Sequence, residues 1–254
     1  MTFIEPIHQP AEFDREPEIG LASQSAQPGE LILWRDPVPY PDAWSFQQQL
    51  HAERLSDVRP DTLLLLEHQP VFTVGRSTQP AHLLAGEAAL SRSGAISYHV
   101  NRGGSVTYHG PGQLVGYPIL KLLKYVSGPK AYVRLLEDML IMVLAVWGIE
   151  GCRIDEAPGV WAQADGELAK VGSIGVRVDR GVTLHGFALN VDLDLAPFSH
   201  IVPCGLIGRR TTSMRAISQS SVPIRIVAGE IAACFGSLFK INWTSRRNSI
   251  LEKG

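Results

Sequence analysis

Short apolar runs bounded by Gly, Pro or Asp recur through the middle of the chain and predict β-strands. Asp165-Gly166 predicts a two-residue hairpin, and Arg180-Gly181 predicts a second reversal. The sequence Glu-His-Gln-Pro at 67–70 predicts a tight connection between two further strands. The predicted strands cover residues 31–34, 62–66, 71–74, 96–100, 114–120, 160–164, 168–178 and 182–191.

Apolar residues at helical spacing predict three longer helices around these strands. Asp42 is suited to cap the first, which extends to about Ser56. Pro129 opens the second, over about 131–147, and the third covers about 224–239. Helices therefore stand before, between and after the strands. This order predicts an α+β fold with a mixed sheet flanked by helices.

Composition divides the chain into three parts. Residues 1–29 contain four prolines among Glu, Gln and Ser, with few periodic apolar positions, and we expect a poorly ordered N-terminal extension. Residues 30–240 are long enough to bury a sizeable core and are expected to form a single domain. Residues 241–254 are expected to be a C-terminal tail.

Charge, cysteine content and the length of apolar runs indicate which partners and which compartment to expect. The formal net charge of −2 argues against a nucleic-acid binder, which usually carries a basic excess. The three cysteines form no CxxC pair, which is typical of a reducing compartment. No apolar run is long enough to cross a bilayer, and no basic leader precedes an apolar segment. We therefore expect a cytoplasmic protein with no membrane partner.

The segment richest in glycine is residues 102–113, Arg-Gly-Gly-Ser-Val-Thr-Tyr-His-Gly-Pro-Gly-Gln. Four glycines and a proline disfavour a helix or a central strand, but they allow the backbone to come close to a bound molecule. A cation, two hydroxyls and an imidazole lie among these glycines, supplied by Arg102, Thr107, Tyr108 and His109. The loop is predicted to hold a substrate.

Cys204 is the candidate nucleophile because it stands between Pro203 and Gly205, outside any periodic apolar run. The alternative is a small buried core residue, as expected for Cys234 in its apolar helix. An unperturbed thiol with a pKa of about 8.5 is only about 3% ionised at pH 7, so a nearby cation is needed. Lys170 is the candidate, although a lysine in a strand also commonly points to water.

Two predicted strands are interrupted by glycine, as strands are where a ligand approaches closely. The segments that contain these glycines are Ser173-Ile174-Gly175 and Gly186-Phe187-Ala188. Both are expected to line a pocket with small residues. His68 and His109 are each expected either to face this pocket or to satisfy loop backbone groups. The histidines show no metal-binding spacing, and GxSxG is absent, so neither a metal nor a serine hydrolase is indicated.

The loop 102–113, Lys170 before 173–175, the segment 185–190 and Pro203-Cys204-Gly205 together resemble the octanoyl-[acyl-carrier-protein]:protein N-octanoyltransferases, also called lipoate-protein ligase B. Order and spacing agree from about residue 31 to residue 214. The resemblance implies a fold like that of biotin and lipoate protein ligases, and an acyltransferase that needs no cofactor.

The resemblance also implies roles for individual residues. Cys204 would form a thioester with the acyl group, and Lys170 would lower the pKa of that thiol and move protons. The residues that would hold the acyl substrate are Arg102, Gly103, Gly104, Ser105, Val106, Thr107, Tyr108, His109, Ser173, Ile174, Gly175, Gly186, Phe187 and Ala188.

The implied donor is octanoyl-acyl carrier protein. The implied acceptors are lysines of lipoyl domains in 2-oxoacid dehydrogenases and in the glycine cleavage H protein, in the first step of endogenous protein lipoylation. Because such partners are commonly acidic, Arg209 and Arg210, with Arg102, are expected to form a local docking patch. Solvated arginines without a partner are the alternative.

Two other functions remain open from the residues. An ATP-dependent ligase of the lipoate or biotin type would share the implied fold, but would form an acyl-adenylate and would not need Cys204. A non-catalytic acyl-binding module would need only the pocket.

Overall fold

The computed structural model describes residues 26–84, 96–205 and 208–247, with Cys204 and residues 245–247 described by their backbone alone. Residues 1–25 of the expected N-terminal extension and residues 248–254 of the expected C-terminal tail lie outside the described residues. Within this part of the chain, no helix is both long and apolar enough to cross a bilayer.

Long runs of strands along the chain are separated by α-helices. The helices are α1 (Tyr40–Leu55), α2 (Pro129–Val146), α3 (Met214–Ser218) and α4 (Ile224–Phe239). The strands are β1 (Gln27–Leu33), β2 (Asp61–Leu66), β3 (Val71–Val74), β4 (Ile96–His99), β5 (Thr107–His109), β6 (Gln113–Ile119), β7 (Gly151–Cys152), β8 (Val160–Ala164), β9 (Glu167–Asp179), β10 (Val182–Asn190), β11 (Arg210–Thr211) and β12 (Ile241–Arg247).

The strands form a large mixed sheet and a small one. The large sheet has the order β12-β1-β2-β6-β10-β9-β8-β7, with β11 pairing with β9 as well. In it β1 runs parallel to β12 and β2, β11 runs parallel to β9, and the other pairs are antiparallel. The small sheet has the order β4-β3-β5. The predicted α+β class with a mixed, helix-flanked sheet is confirmed.

Helices cover both faces of the large sheet, which explains why residues 63–66 of β2 are all leucine. Leu63 and Leu65 pack with α2 and α4, while Leu64 and Leu66 pack with α1. Successive side chains of a strand point to opposite faces, so a strand covered on both sides is apolar at every position.

The two predicted turns of the β8–β10 meander have the backbone that their sequences require. Asp165 and Gly166 have φ of 52° and 82°, and Arg180 and Gly181 have φ of 49° and 83°. Consecutive positive φ values define the type I′ turn, whose twist matches that of the paired strands.

Three predicted boundaries differ from the structure. β1 begins at Gln27, inside the segment expected to be disordered, and residues 241–247 of the expected tail form β12 beside it. Helix α1 begins at Tyr40 with Pro41 in its first turn, so Asp42 is an early helical residue rather than the cap. β2 and β3 are the two predicted strands on either side of residues 67–70, and they lie in different sheets.

Candidate functional site

A cavity of about 280 Å³ lies between the glycine-rich loop and strands β6, β9 and β10. Most of the predicted substrate-binding residues line it: Arg102, Gly103, Gly104, Ser105, Thr107, His109, Ser173, Ile174, Gly175, Gly186, Phe187 and Ala188, together with Lys170. Three stretches far apart in sequence thus meet around one space.

Val106 and Tyr108 point the other way. Both pack into a small core with Phe72, Phe198 and Ile201 under the small sheet. Because side chains alternate along an extended segment, Thr107 and His109 face the cavity while Val106 and Tyr108 fill this core. Their contribution to the site is to support the loop.

Arg102 supports the loop in a different way. Arg102 is 8% exposed, and its guanidinium donates to the carbonyl oxygens of Thr73 and Ser105, both at 2.7 Å. A side chain enclosed in this way has no face to offer a docking protein, so the expectation that Arg102 joins Arg209 and Arg210 in a surface patch is wrong.

The loop also packs directly on β9. The Gly103 amide donates to the carbonyl oxygen of Val176 at 3.1 Å. A Cβ at Gly175 would lie 3.1 Å from Arg102 Cδ and 3.1 Å from the Gly103 oxygen. The predicted close approach of backbone to strand therefore occurs at Gly175, and it forms one wall of the cavity.

Buried histidines lie beside the cavity in uncharged form. Burial lowers the pKa of His68 to about 4 and that of His185 to about 3, and it holds the pKa of His109 well below its ordinary value. His109 and His185 line the cavity. His68 lies behind it and bonds to Tyr117, a lining residue, at 2.7 Å between Nε2 and Oη.

Lys170 lies 3% exposed at the edge of the cavity. Its Nζ donates to the carbonyl oxygen of Pro158 at 2.8 Å and lies 4.9 Å from the centre of the Trp161 ring. No carboxylate among the described residues forms an ion pair with this ammonium. A buried cation with carbonyl and aromatic neighbours keeps its field available for an anion placed beside it.

The loop that carries Pro158 and Gly159 beside Lys170 is held in place by a residue of α2. Glu137 is buried and accepts the Gly159 amide at 2.9 Å, and Arg153 donates to the same carboxylate at 3.0 Å. The Pro158 carbonyl that holds Lys170 is therefore part of an anchored segment. Neither Glu137 nor Pro158 carries a sequence signal that would have identified it.

The backbone of Cys204 belongs to a 3₁₀ turn, Pro203–Gly205, which packs against His82. The Val202 amide donates to the His82 carbonyl at 2.8 Å, and Gly205 has a φ of +72°. A Cβ at Gly205 would lie 2.8 Å from the His82 ring, so glycine is needed there for space as well as for conformation.

The chain after Cys204 runs beside Lys170. β11 pairs in parallel with β9, with Thr211 opposite Lys170, and the Thr212 amide donates to the Lys170 carbonyl at 2.9 Å. The two candidate catalytic segments, 34 residues apart in sequence (204 − 170), are therefore joined at the sheet.

Several cavity residues were not identified from the sequence. For His185 the sequence gives one signal, its position directly before Gly186. The structure adds that His185 has a positive φ of 56°, which is unusual for a residue other than glycine. The others have no local signature, because they face the cavity only through the tertiary fold: Tyr40, Thr73, Val115, Tyr117, Val133, Glu156, Ala157, Pro158 and Val176.

With this geometry established, similarity to known proteins identifies the family. Residues 39–236 match the lipoyl protein ligase A/B catalytic domain. The chain belongs to this family. An octanoyltransferase of Gloeobacter violaceus is 46% identical over 81% of this chain and 90% of its own length. One from Solibacter usitatus is 50% identical over 71% and 80%. Within its family the chain therefore groups with the octanoyltransferases, which are transferase enzymes.

Among solved structures, the fold is shared with a bipartite lipoate protein ligase of Thermoplasma acidophilum. The TM-score is 0.66, with 88% of each chain covered and 15% of residues identical. This likeness confirms the predicted resemblance to lipoate ligases at the level of fold.

Proposed function

We propose that this chain transfers an octanoyl group from acyl carrier protein to lysines of lipoyl domains by way of a thioester on Cys204. The sequence relatives support octanoyl transfer as the reaction. The observation that carries the covalent route is the position of Lys170, whose buried ammonium borders the cavity and whose backbone is bonded to the segment that follows Cys204.

In the first half-reaction the Cys204 thiolate attacks the carbonyl carbon of the octanoyl thioester. A carbon–sulfur bond to Cys204 forms and the bond to the carrier sulfur breaks. The departing sulfur takes a proton from the Lys170 ammonium, which becomes a neutral amine. Exchange of one thioester for another is nearly thermoneutral, so no ATP is required.

In the second half-reaction a neutral lysine amine of the acceptor attacks the acyl-enzyme. The amide bond forms, the Cys204 thiolate leaves, and Lys170 takes the proton released from the attacking nitrogen. The enzyme returns to a thiolate and an ammonium. Backbone amides of the glycine-rich segments are the donors suited to stabilise both tetrahedral oxyanions.

The energetic demand on Lys170 is modest. Raising the ionised fraction of a thiol from about 3% to one half at pH 7 requires a pKa shift of about 1.5 units, or roughly 2 kcal/mol. A single cation in a site shielded from water supplies this amount. Lys170 meets that condition because it is buried and is not neutralised by a carboxylate among the described residues.

The cavity fits an aliphatic acyl chain. Its wall includes Val115, Ile174, Val176 and Phe187, and glycine segments keep the backbone close. Burying the six methylenes beyond the carbonyl contributes up to about 5 kcal/mol at ~0.8 kcal/mol per methylene. Substrate binding therefore rests mainly on apolar contact.

The protein partners are proposed on the same basis. Octanoyl-acyl carrier protein would be the donor, and lipoyl domains of 2-oxoacid dehydrogenases and the glycine cleavage H protein would be acceptors, in the cytoplasm. Arg209 and Arg210 are exposed beside the site: Arg209 lies 5.9 Å from the Trp161 ring and Arg210 pairs with Asp165 at 3.1 Å. They form the docking patch without Arg102.

Intact-mass spectrometry after mixing with octanoyl-carrier protein tests the mechanism. We expect an octanoyl adduct that hydroxylamine removes, that Cys204→Ala abolishes, and that Cys152→Ala retains. An ATP-dependent ligase would instead keep transfer activity in Cys204→Ser and require ATP. Absence of the adduct during turnover overturns the covalent route.

A further inference from the structure

A continuous line of buried hydrogen bonds runs beneath the cavity, from the glycine-rich loop to the segment after Cys204. Five side chains and one carbonyl group take part, and each is at least nine-tenths buried. The links are Arg102 Nη2 to Thr73 Oγ1 at 2.8 Å, Thr73 Oγ1 to His109 Nε2 at 3.2 Å, His109 Nδ1 to Gln113 Oε1 at 2.6 Å, Gln113 Nε2 to Asn190 Oδ1 at 2.9 Å, and Asn190 Nδ2 to the Thr212 carbonyl at 2.9 Å.

The two ends of this line fix its direction. A guanidinium only donates, and a backbone carbonyl only accepts. Asn190 must therefore turn its amide nitrogen toward Thr212, which leaves its oxygen to accept from Gln113. The Gln113 nitrogen also donates to the Tyr108 carbonyl at 3.2 Å, which agrees with that orientation.

The same logic determines the protonation of His109. Its Nδ1 faces the Gln113 oxygen, so Nδ1 carries the proton, and its Nε2 accepts from the Thr73 hydroxyl. The Thr73 oxygen in turn accepts from Arg102. Each side chain therefore donates to the next one on the way from Arg102 to Thr212. A neutral His109 with its proton on Nδ1 is the form that completes the line.

The far end of the line reaches the candidate catalytic segment. Thr212 is held from two sides, since its carbonyl accepts from Asn190 and its amide donates to the Lys170 carbonyl. Thr212 directly follows β11, the strand that the chain enters after Cys204. The position of Thr212 therefore affects both β9 at Lys170 and the chain that follows Cys204.

We propose that Asn190 is a positioning residue that ties the acyl-binding loop to the Lys170 and Cys204 segments through the Thr212 carbonyl. This inference rests on the proposed roles of Lys170 and Cys204. Asn190 does not line the cavity, so it acts on the rate of transfer through Thr212 rather than on binding of the acyl chain.

The test compares Asn190→Leu with Thr183→Val. Leucine keeps the approximate volume but can neither accept from Gln113 nor donate to Thr212. Thr183 is also fully buried in β10, and its hydroxyl donates to the Pro118 carbonyl and accepts from the Leu120 amide, both outside the line. We expect Asn190→Leu to lower kcat at least tenfold with KM for octanoyl-carrier protein within twofold, and Thr183→Val to keep kcat within twofold.

Two further measurements separate positioning from simple loss of stability. The pH midpoint for alkylation of Cys204 by iodoacetamide, followed by peptide mass spectrometry, is expected to rise in Asn190→Leu and to stay in place in Thr183→Val. In the unsubstituted chain, ¹⁵N NMR of labelled histidine is expected to show His109 protonated at Nδ1 and bare at Nε2. An Nε2–H form overturns the proposal even if Asn190→Leu does not fold.

Lys170→Ala distinguishes failure of the inference from failure of the proposed mechanism. If Lys170→Ala abolishes transfer while Asn190→Leu retains full kcat, the positioning role of Asn190 is wrong and the mechanism stands. If Lys170→Ala retains full transfer, the proposed role of Lys170 is wrong, and the inference falls with it.

Discussion

Lys170 packs against Gly159, where a side chain would collide with the Gly172 carbonyl oxygen and crowd the lysine. A Cβ there would lie 3.3 Å from Lys170 Nζ and 3.2 Å from its Cε, and 2.5 Å from the Gly172 carbonyl oxygen. Gly159 also has a φ of +119°, a conformation that other residues rarely adopt. The position of Lys170, the proposed proton-transfer group, therefore depends on glycine at residue 159.

Gly159→Ala is therefore expected to displace Lys170 and lower octanoyl transfer at least a hundredfold. Gly166→Ala is the matched control, because Gly166 also has a positive φ, 82°, but nothing lies within 4 Å of a Cβ there. Both variants should lose roughly 1 kcal/mol or more of unfolding free energy from backbone strain. Transfer rates and urea unfolding check the pair, and equal activity in the two variants would contradict this account.

Acid is expected to weaken the fold through the neutral buried histidines. The pKa values of His68, His109 and His185 in the folded chain lie below the value of about 6.5 expected when unfolded. Their contribution to stability is complete above pH 6.5. It decreases as the pH falls, because the unfolded chain then binds protons that the folded chain does not.

With three such groups, the unfolding free energy should decrease by up to about 4 kcal/mol per pH unit between pH 6.5 and the folded-state pKa of His68, about 4, at ~1.4 kcal/mol per group. His68→Gln should reduce that slope by about one third. Urea titrations at a series of pH values measure it. A slope that is the same in both proteins would show that His68 is protonated in the folded state.

The cavity wall at Ala188 is expected to set acyl-chain length. Ala188 is 4% exposed, lines the cavity, and packs with the core under α1. Ala188→Leu places extra carbons where the acyl tail would lie and should exclude about three methylenes. This corresponds to about 2 kcal/mol, or a roughly 30-fold loss of kcat/KM for octanoyl donor.

Shorter acyl donors provide the internal control for Ala188→Leu. A butanoyl donor should be transferred at an unchanged rate, because its tail ends before the added side chain. A uniform loss for all chain lengths would indicate damage to the catalytic segment instead of a shortened cavity.

Docking of an acidic carrier protein is expected to depend on Arg209 and Arg210. Reversing both charges to Glu should raise KM for octanoyl-carrier protein about tenfold at low salt and much less at 0.5 M salt, since exposed charges are screened. Arg225→Glu, an exposed change on α4, is the control. An unchanged KM at low salt would remove these arginines from the interface.

Much of the secondary structure could be predicted because its signals are local. The helix over 224–239 and the strands over 71–74 and 160–164 match α4, β3 and β8, and Asp165-Gly166 forms the predicted turn. Residues 27–29 and 241–247 were not expected to be structured. They form strands because β1 and β12 pair along their whole length, across more than 200 residues of chain.

The sequence by itself determined the fold class, the glycine-rich loop and the chemical types of the candidate catalytic pair, because periodicity, turn residues and motif spacing depend on near neighbours. Only the tertiary structure decided which side chains face the cavity, and that Arg102 is enclosed rather than presented at the surface. Only the tertiary structure showed that His109, Gln113, Asn190 and Thr212 are connected by hydrogen bonds. The physical reason is that hydrogen bonds between buried groups depend on distance and direction in space, which strand pairing sets and local sequence does not.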